Sequence, residues 1–264
     1  MSYAPLTATL GMLGLMFSLV LNPTPTPSAI WWQPRPATTW QWQLLGDILT
    51  EWDVEMYDID LFDAPQAVID TLHDNGRVVI CYFSAGTHEA WRTDAMKFPP
   101  SLLGNDLEAW EGERWLDIRQ LDGLAPIIEA RLDLAVEKRC DGVEPDNVDA
   151  YTHDTGFPLT YTDQLVYNRW LAQQAHARSL SIGLKNDLEQ IPDLVNEFDW
   201  ALNEACFAFD ECDLLLPFIH ANKAVFGVEY DGNPSDYCPV AVAMGFSWLT
   251  KPLDLSDVPP HACK

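Results

Sequence analysis

Nine short runs rich in Val, Ile, Tyr and Trp alternate along the chain with longer stretches whose apolar residues recur at helical spacing, and this alternation constrains the fold most. A short apolar run followed by an amphipathic helix is the sequence form of a βα unit, and repeated units build a parallel sheet. The runs are Trp40–Leu45, Val54–Leu61, Val78–Phe83, Arg114–Ile118, Gly142–Asp146, Ser181–Lys185, Trp200–Glu204, Val225–Glu229 and Phe246–Leu249. Eight such units close an α/β (β/α)8 TIM barrel in one domain of about 250 residues. The 264 residues therefore fit a single barrel over 31–264, with one run to spare. The spare is expected near the N-terminus, as an extra or edge piece. Helices are expected over Leu124–Arg139, with Pro126 in the first turn, and over Leu159–Leu180.

Parallel strands covered on both faces are apolar almost throughout. Here nearly every run instead closes on polar groups: Asp58 and Asp60, Tyr82 with Ser84, Asp117 with Arg119, Glu144 with Asp146 and Asn147, Lys185 with Asn186, Asn203 with Glu204, and Glu229. In a barrel these ends meet on one face, where active sites are built. Burying such a ring is costly unless water or a polar ligand fills the space between its members. Two carboxyls on different strand ends suit glycosidic cleavage, which needs one to protonate the leaving oxygen and another to act as nucleophile or base. Residue type alone does not choose among Asp58, Asp60, Asp117, Glu144, Asp146, Glu204 and Glu229. Structural duties compete for several of them: Asp58 or Asp60 can cap the following helix, Asp117 can pair with Arg119, and Glu144 can neutralise Lys185.

Charge narrows the partners. Lys and Arg total 15 against 40 Asp and Glu, a formal charge of -25, and that field repels phosphate backbones. Nucleic acid is thereby excluded, whereas a polysaccharide bearing free amines would be concentrated; the same acidity also keeps an exported protein soluble. Export is expected because residues 1–34 carry no charge and Leu6–Leu21 has the length of a signal-peptide core. No basic residue precedes that core, so an uncleaved membrane anchor is the alternative, and the alternating prolines of Asn22–Ser28 read as a linker. Residues 1–30 are thus expected to be leader or anchor plus linker, and the product secreted. The six cysteines suit disulfides, with Cys206–Cys212 and Cys238–Cys263 two of about fifteen possible arrangements' plausible pairs. No CxxC or HxxxH spacing indicates zinc, and neither a metal nor a cofactor is expected.

Ordered blocks from Trp40 to Tyr230 then resemble one family. They are Trp40-Gln-Trp-Gln-Leu, Tyr57-Asp-Ile-Asp-Leu-Phe-Asp63, Cys81-Tyr-Phe-Ser-Ala-Gly86 with Glu89, Trp91 and Arg92, Glu113-Arg-Trp-Leu-Asp-Ile-Arg119, Cys140-Asp-Gly-Val-Glu-Pro-Asp-Asn-Val-Asp149, Gly183-Leu-Lys-Asn186, Asn203-Glu-Ala-Cys206 and Glu229-Tyr230. The pattern resembles glycoside hydrolase family 114, endo-α-1,4-polygalactosaminidases on a (β/α)8 barrel. That resemblance implies catalytic roles for Asp146 and Glu204. Asp146 is read as nucleophile and the longer-reaching Glu204 as general acid/base, with the reverse assignment open. Around them Trp42, Tyr82, Trp115 and Tyr230 can offer faces to sugar rings, and Asp58, Asp60 and Asp149 can pair with substrate ammonium groups. Asn147 and Asn203 can hydrogen-bond the carboxylates or a hydroxyl. Lys185 beside Asn186 can lower a catalytic carboxyl's pKa. Competing readings are a glycosidase for another α-linked polysaccharide, a carbohydrate-binding barrel without catalysis, and a metal-dependent hydrolase.

Overall fold

The computed structural model describes residues 1–4, 31–108, 110–259 and 261–264. The leader and linker expected before residue 31 fall mainly on 5–30, outside the described residues. The strands are β1 (Trp40–Gln43), β2 (Met56–Asp60), β3 (Val78–Ser84), β4 (Thr87–Glu89), β5 (Leu103–Asp106), β6 (Glu113–Leu116), β7 (Gly142–Asp146), β8 (Ser181–Lys185), β9 (Trp200–Glu204), β10 (Val225–Glu229), β11 (Ser247–Thr250) and β12 (His261–Ala262). Nine form one curled sheet in the order β1-β2-β3-β7-β8-β9-β10-β11-β12, and β4-β6-β5 form a separate small sheet. β1 to β11 in the large sheet are eight parallel strands, and β12 lies antiparallel on β11.

The barrel expectation is met in part, as a curled parallel sheet of eight strands. Among the described residues no backbone ladder joins β1 to β11; the seam is spanned by the Trp40 indole, which donates to the Ser247 carbonyl at 2.9 Å. The spare run is not near the N-terminus. It is Arg114–Ile118, whose core enters β6 of the antiparallel sheet inserted between β3 and β7. β6 pairs antiparallel on both of its edges, with β4 and with β5, and so takes no place among the parallel strands.

Helices α1 (Gln66–Asp74), α2 (Leu121–Glu137), α3 (Tyr161–Ala177), the short α4 (Ile191–Leu194), α5 (Cys206–Phe209) and α6 (Leu216–His220), and α7 (Pro234–Met244) follow the strands. α3 begins with a capping box: the Thr160 hydroxyl accepts from Asp163 N, and the Asp163 carboxylate accepts from Thr160 N. α2 starts at Leu121, so Pro126 sits in its second turn rather than its first.

Because strand side chains alternate with period two, the sheet separates two cores. Trp40, Trp42, Met56, Ile80, Trp200 and Phe226 pack inside the curl, and Tyr57, Val79, Val143 and Ile182 pack outward against Ile69, Leu72, Ile128, Leu132 and Leu171 of the helices. Each such side chain contributes roughly 1.5–3 kcal/mol on burial. Gly183 is required by this packing, since a Cβ there would lie 2.2 Å from the Trp200 ring. Three disulfides, Cys81–Cys140, Cys206–Cys212 and Cys238–Cys263, fasten β3 to the approach to β7, a loop after β9, and the C-terminal tail. No helix among the described residues is long and apolar enough to cross a membrane.

Candidate active site

The same alternation that fills the curl with Trp and Ile turns polar residues inward at the strand exits. β7 leaves through Asp146, β8 through Lys185 and β9 through Glu204, and the next residues are left-handed: Asn147 (φ 59), Asn186 (φ 49) and Ala205 (φ 62). For Ala205 that conformation costs about 1 kcal/mol or more. It turns the chain away directly beyond the functional side chain, and the freed backbone groups are reused. Asn147 N donates to Asp146 Oδ1 at 2.7 Å, Asn186 N to the Leu202 carbonyl at 2.8 Å, and Ala205 N to the Val228 carbonyl at 2.8 Å.

Lys185 is the hub. Its buried ammonium lies 3.1 Å from Glu144 Oε1, 3.0 Å from Asp146 Oδ1 and 3.3 Å from Glu204 Oε2, and 4.9 Å from the centre of the Trp42 ring. Burial alone would lower its pKa, but the three carboxylates hold it well above the ordinary lysine value, so it stays charged. Because Asp146 Oδ1 and Glu204 Oε2 touch one nitrogen at 3.0 and 3.3 Å, they are no farther apart than those lengths laid end to end, about 6.3 Å. Each carboxylate takes two more donors. Asp146 accepts from Asn147 N and, at 3.1 Å, from the Tyr82 hydroxyl. Glu204 accepts from Asn186 Nδ2 at 3.1 Å and from the Tyr230 hydroxyl. Asn203 in turn donates to Asn186 Oδ1 at 3.3 Å, and Glu204 N to the same oxygen at 3.0 Å, which fixes the amide's orientation.

Behind Lys185, Glu144 and Asp58 are completely buried. Burial pushes Glu144 up to about 7, and burial together with the Glu144 charge raises Asp58 well above the usual carboxylate range. Neither Asp58 oxygen has a hydrogen-bond partner while both acids are ionised. A proton on Asp58, donated to Glu144, resolves that deficit, so this pair is a single-charge base beneath the lysine.

The cavity above encloses about 520 Å³, and its wall includes Trp42, Asp60, Tyr82, Trp115, Asp146, Asn147, Asp149, Lys185, Asn186, Glu204 and Tyr230. Other residues singled out from the sequence, Glu144 among them, lie off that wall. Asp58 is beneath it. Asp117 is gripped by Arg119 at 2.7 and 2.8 Å, Glu229 accepts from Phe207 N at 3.0 Å, and Asn203 supports Asn186. Asp60 reaches the wall already engaged: Arg92 holds it at 2.6 and 3.0 Å, and it caps the N–H groups of Phe62 and Asp63, both at 2.8 Å. Asp149 faces His153 at 3.4 Å, whose pKa it raises, and His153 stacks on Trp115 at 4.8 Å.

Wall residues that were given no role from the sequence include a group from the excursion between β3 and β7: Glu89, Trp91, Arg92, Trp110 and Glu113. Strand-end reasoning cannot reach them, because the excursion is not a barrel strand. The signal was the two-residue alternation of Glu113 and Trp115, which sets both on one face of β6. Among the described residues, no three His, Cys, Asp or Glu side chains are grouped as a metal ion would require.

Comparison with known proteins adds to this geometry. Residues 21–263 match the model of glycoside-hydrolase family GH114. The fold is similar to the crystal structure of Aspergillus fumigatus Ega3 in complex with galactosamine, with a TM-score of 0.83 and 42% identity over 88% of this chain and 97% of that one. The glycoside hydrolase domain of PelA from Pseudomonas aeruginosa shares the fold at a TM-score of 0.62 and 11% identity, over 83% of this chain and 96% of that one. The α-galactosidase TtGalA from Thermus thermophilus shares it at 0.55 and 13%, over 84% of this chain and 59% of that one. No curated protein sequence matches the chain.

Proposed function

The chain belongs to glycoside hydrolase family GH114, and from that premise we propose that it is a secreted endo-acting hydrolase that cleaves α-1,4-linked galactosamine-containing polysaccharide with Asp146 and Glu204. The observation that carries the reading is the Lys185 ammonium held between these two carboxylates at 3.0 and 3.3 Å in an open cavity. Similarity to a protein crystallised with galactosamine directs the substrate toward that amino sugar. The net charge of -25 favours a polymer carrying free amines.

In this mechanism Asp146 attacks the anomeric carbon as a carboxylate, oriented by its lysine, tyrosine and backbone donors. Glu204 is one methylene longer, and its side chain is 28% exposed against 19% for Asp146. It therefore reaches the leaving oxygen, protonates it, and later takes a proton from the water that releases the glycosyl enzyme. The lysine-bound oxygens of the two carboxylates lie within about 6.3 Å of each other, which accommodates the roughly 5–5.5 Å carboxyl separation of a retaining pair, and the retaining course is the one we propose. The product should keep the α configuration.

The catalytic domain is assigned to residues 31–264 as a (β/α)8 barrel whose β1–β11 seam is closed by side chains. Residues 1–30 are assigned to export and linkage. The three disulfides suit an oxidising compartment.

The test is release of soluble oligosaccharides from deacetylated galactosaminogalactan by the wild type, Asp146→Asn and Glu204→Gln, each checked for folding. Loss in both variants supports the assignment, and the anomer of fresh product by NMR decides its stereochemistry. A wild type that binds the polymer without cutting it would replace this reading with a binding protein.

A further inference from the structure

The small sheet beside the catalytic residues contains an arrangement that a folding argument alone does not explain. Glu89 on β4 and Glu113 on β6 are direct cross-strand partners. Like charges in that relation destabilise a sheet. Both are buried, at 1% and 5% exposure, and both line the catalytic cavity.

Nearby cations do not account for the pair. Arg92 is shared among Asp60, Asp63 and Glu89, and Arg131 is held at 2.9 Å by Asp94 and lies 3.7 Å from Glu89. Two guanidiniums thus already serve four carboxylates. Glu89 uses Oε1 on Arg92 at 2.8 Å, and its Oε2, buried, accepts no hydrogen bond and has Arg131 Nη1 at 3.7 Å. Glu113 has no Lys, Arg or His within salt-bridge distance among the described residues, and its one partner is the Thr87 hydroxyl at 2.9 Å. The pair is relieved either by a proton on Glu113 or by one small cation with several donors that enters from the cavity.

We propose that Glu89 and Glu113 form the binding site for the ammonium group of a 2-amino sugar seated beside Asp146, and that this pair selects amino sugars over neutral or N-acetylated ones. The inference rests on the hydrolase reading above for its substrate class. A primary ammonium brings three donors to carboxylates that have spare acceptors. An acetamido group brings one N–H, no charge and extra bulk. The site is coupled to the catalytic carboxylate through short contacts: Thr87 Oγ1 lies 2.5 Å from Ser84 Oγ, which accepts from Asn147 Nδ2 at 3.0 Å, and Asn147 N donates to Asp146. Burial holds Glu113 at about 7 in the absence of a cation, and an arriving ammonium favours its ionised form.

The decisive experiment compares kcat and KM of wild type and Glu113→Gln on fully deacetylated and fully N-acetylated galactosamine oligomers, with Glu113→Asp as a charge-preserving control. Glu113→Gln should lower kcat/KM on the deacetylated oligomer by about tenfold to a hundredfold, mainly through KM. Its effect on the acetylated oligomer should be under threefold, and Glu113→Asp should recover part of the loss. Equal losses on both oligomers, or none, would overturn the proposal. Calorimetric titration with galactosamine and galactose separates this site from the hydrolase reading. A wild type that cleaves nothing but prefers galactosamine, with that preference lost in Glu113→Gln, would sink the hydrolase and support the site. Equal affinity of the wild type for the two sugars would sink the site itself.

Discussion

Replacing Lys185 with Met removes the ammonium while leaving a side chain of similar length to fill the space, and the consequences should depend on pH in a defined way. The nitrogen lies within 3.0–3.3 Å of three carboxylates. At an effective dielectric near 20 each such contact is worth about 5 kcal/mol before desolvation, and breaking a buried pair by removing one partner costs about 3–5 kcal/mol. The pH-dependent part of that cost falls on Glu144, which is completely buried. Its carboxyl is held at about 7 against an ordinary 4.5, so it already weighs against folding as pH rises above about 4.5, by about 3 kcal/mol once past 7. Losing Lys185 raises the folded pKa further. Below about 7 the folded protein keeps Glu144 protonated with or without the lysine, so this extra loss is absent there and grows only as pH rises through about 7. Lys185→Met should therefore lose about 3–5 kcal/mol at pH 8, roughly 10 °C in Tm, and about 1.4 kcal/mol less at pH 5, the part that Glu144 contributes over the one unit above its folded pKa of about 7. Asp146 also loses a donor, and kcat should fall by about 100-fold or more. Thermal unfolding at the two pH values and turnover on deacetylated polymer check this. The same Tm depression at both pH values, or a kcat within threefold of wild type, would show that Lys185 is not the electrostatic centre of the site.

Gly86 lies against the Asp146–Asn147 turn, where an added Cβ would sit 1.7 Å from the Asn147 carbonyl oxygen. Gly86→Ala should therefore cost about 2–3 kcal/mol and at least 100-fold in kcat by displacing Asp146, as seen in melting and turnover together. Asp187 is left-handed (φ 45) and buried, and burial with the Asp149 charge pushes it up to about 9. An acid raised in this way weighs against folding above its unfolded value of 3.8 and increasingly toward 9, so Asp187→Asn should stabilise by on the order of 3 kcal/mol at pH 8 and by nothing near pH 3. Urea unfolding at both pH values would expose a wrong sign. The Cys81–Cys140 bridge spans 59 residues, and chain entropy predicts a loss of about 4 kcal/mol for the double Ser variant, measured as a fall in denaturant midpoint.

The strand exits were legible because period-two alternation forces a charged residue at the end of an apolar run to face the ligand side of the sheet. β7, β8, β9 and β10 match their expected bounds on that account. What the sequence does not carry is which acids are already engaged. Asp60 is taken by Arg92, 32 residues away, and Asp117 by Arg119, two residues away. Only the second partner could be read from proximity in the chain. Asp146 and Glu204 are set apart by sharing Lys185, across separations of 39 residues for Asp146 and, through the Asn186 contact next door, 18 for Glu204. The excursion holding Glu89 and Glu113 was read through one of its strands as a barrel element, because a short run that closes on Asp117 looks alike at a barrel rim and in an antiparallel sheet. Their pairing depends on register, which places Glu89 opposite Glu113 and Thr87 opposite Trp115. A one-residue slip would turn Arg114 toward the cavity in place of Glu113 and Trp115. The selectivity proposed for the amino group therefore depends on a register that neither composition nor hydrophobic pattern specifies, and the Thr87–Glu113 hydrogen bond at 2.9 Å is one contact that holds it.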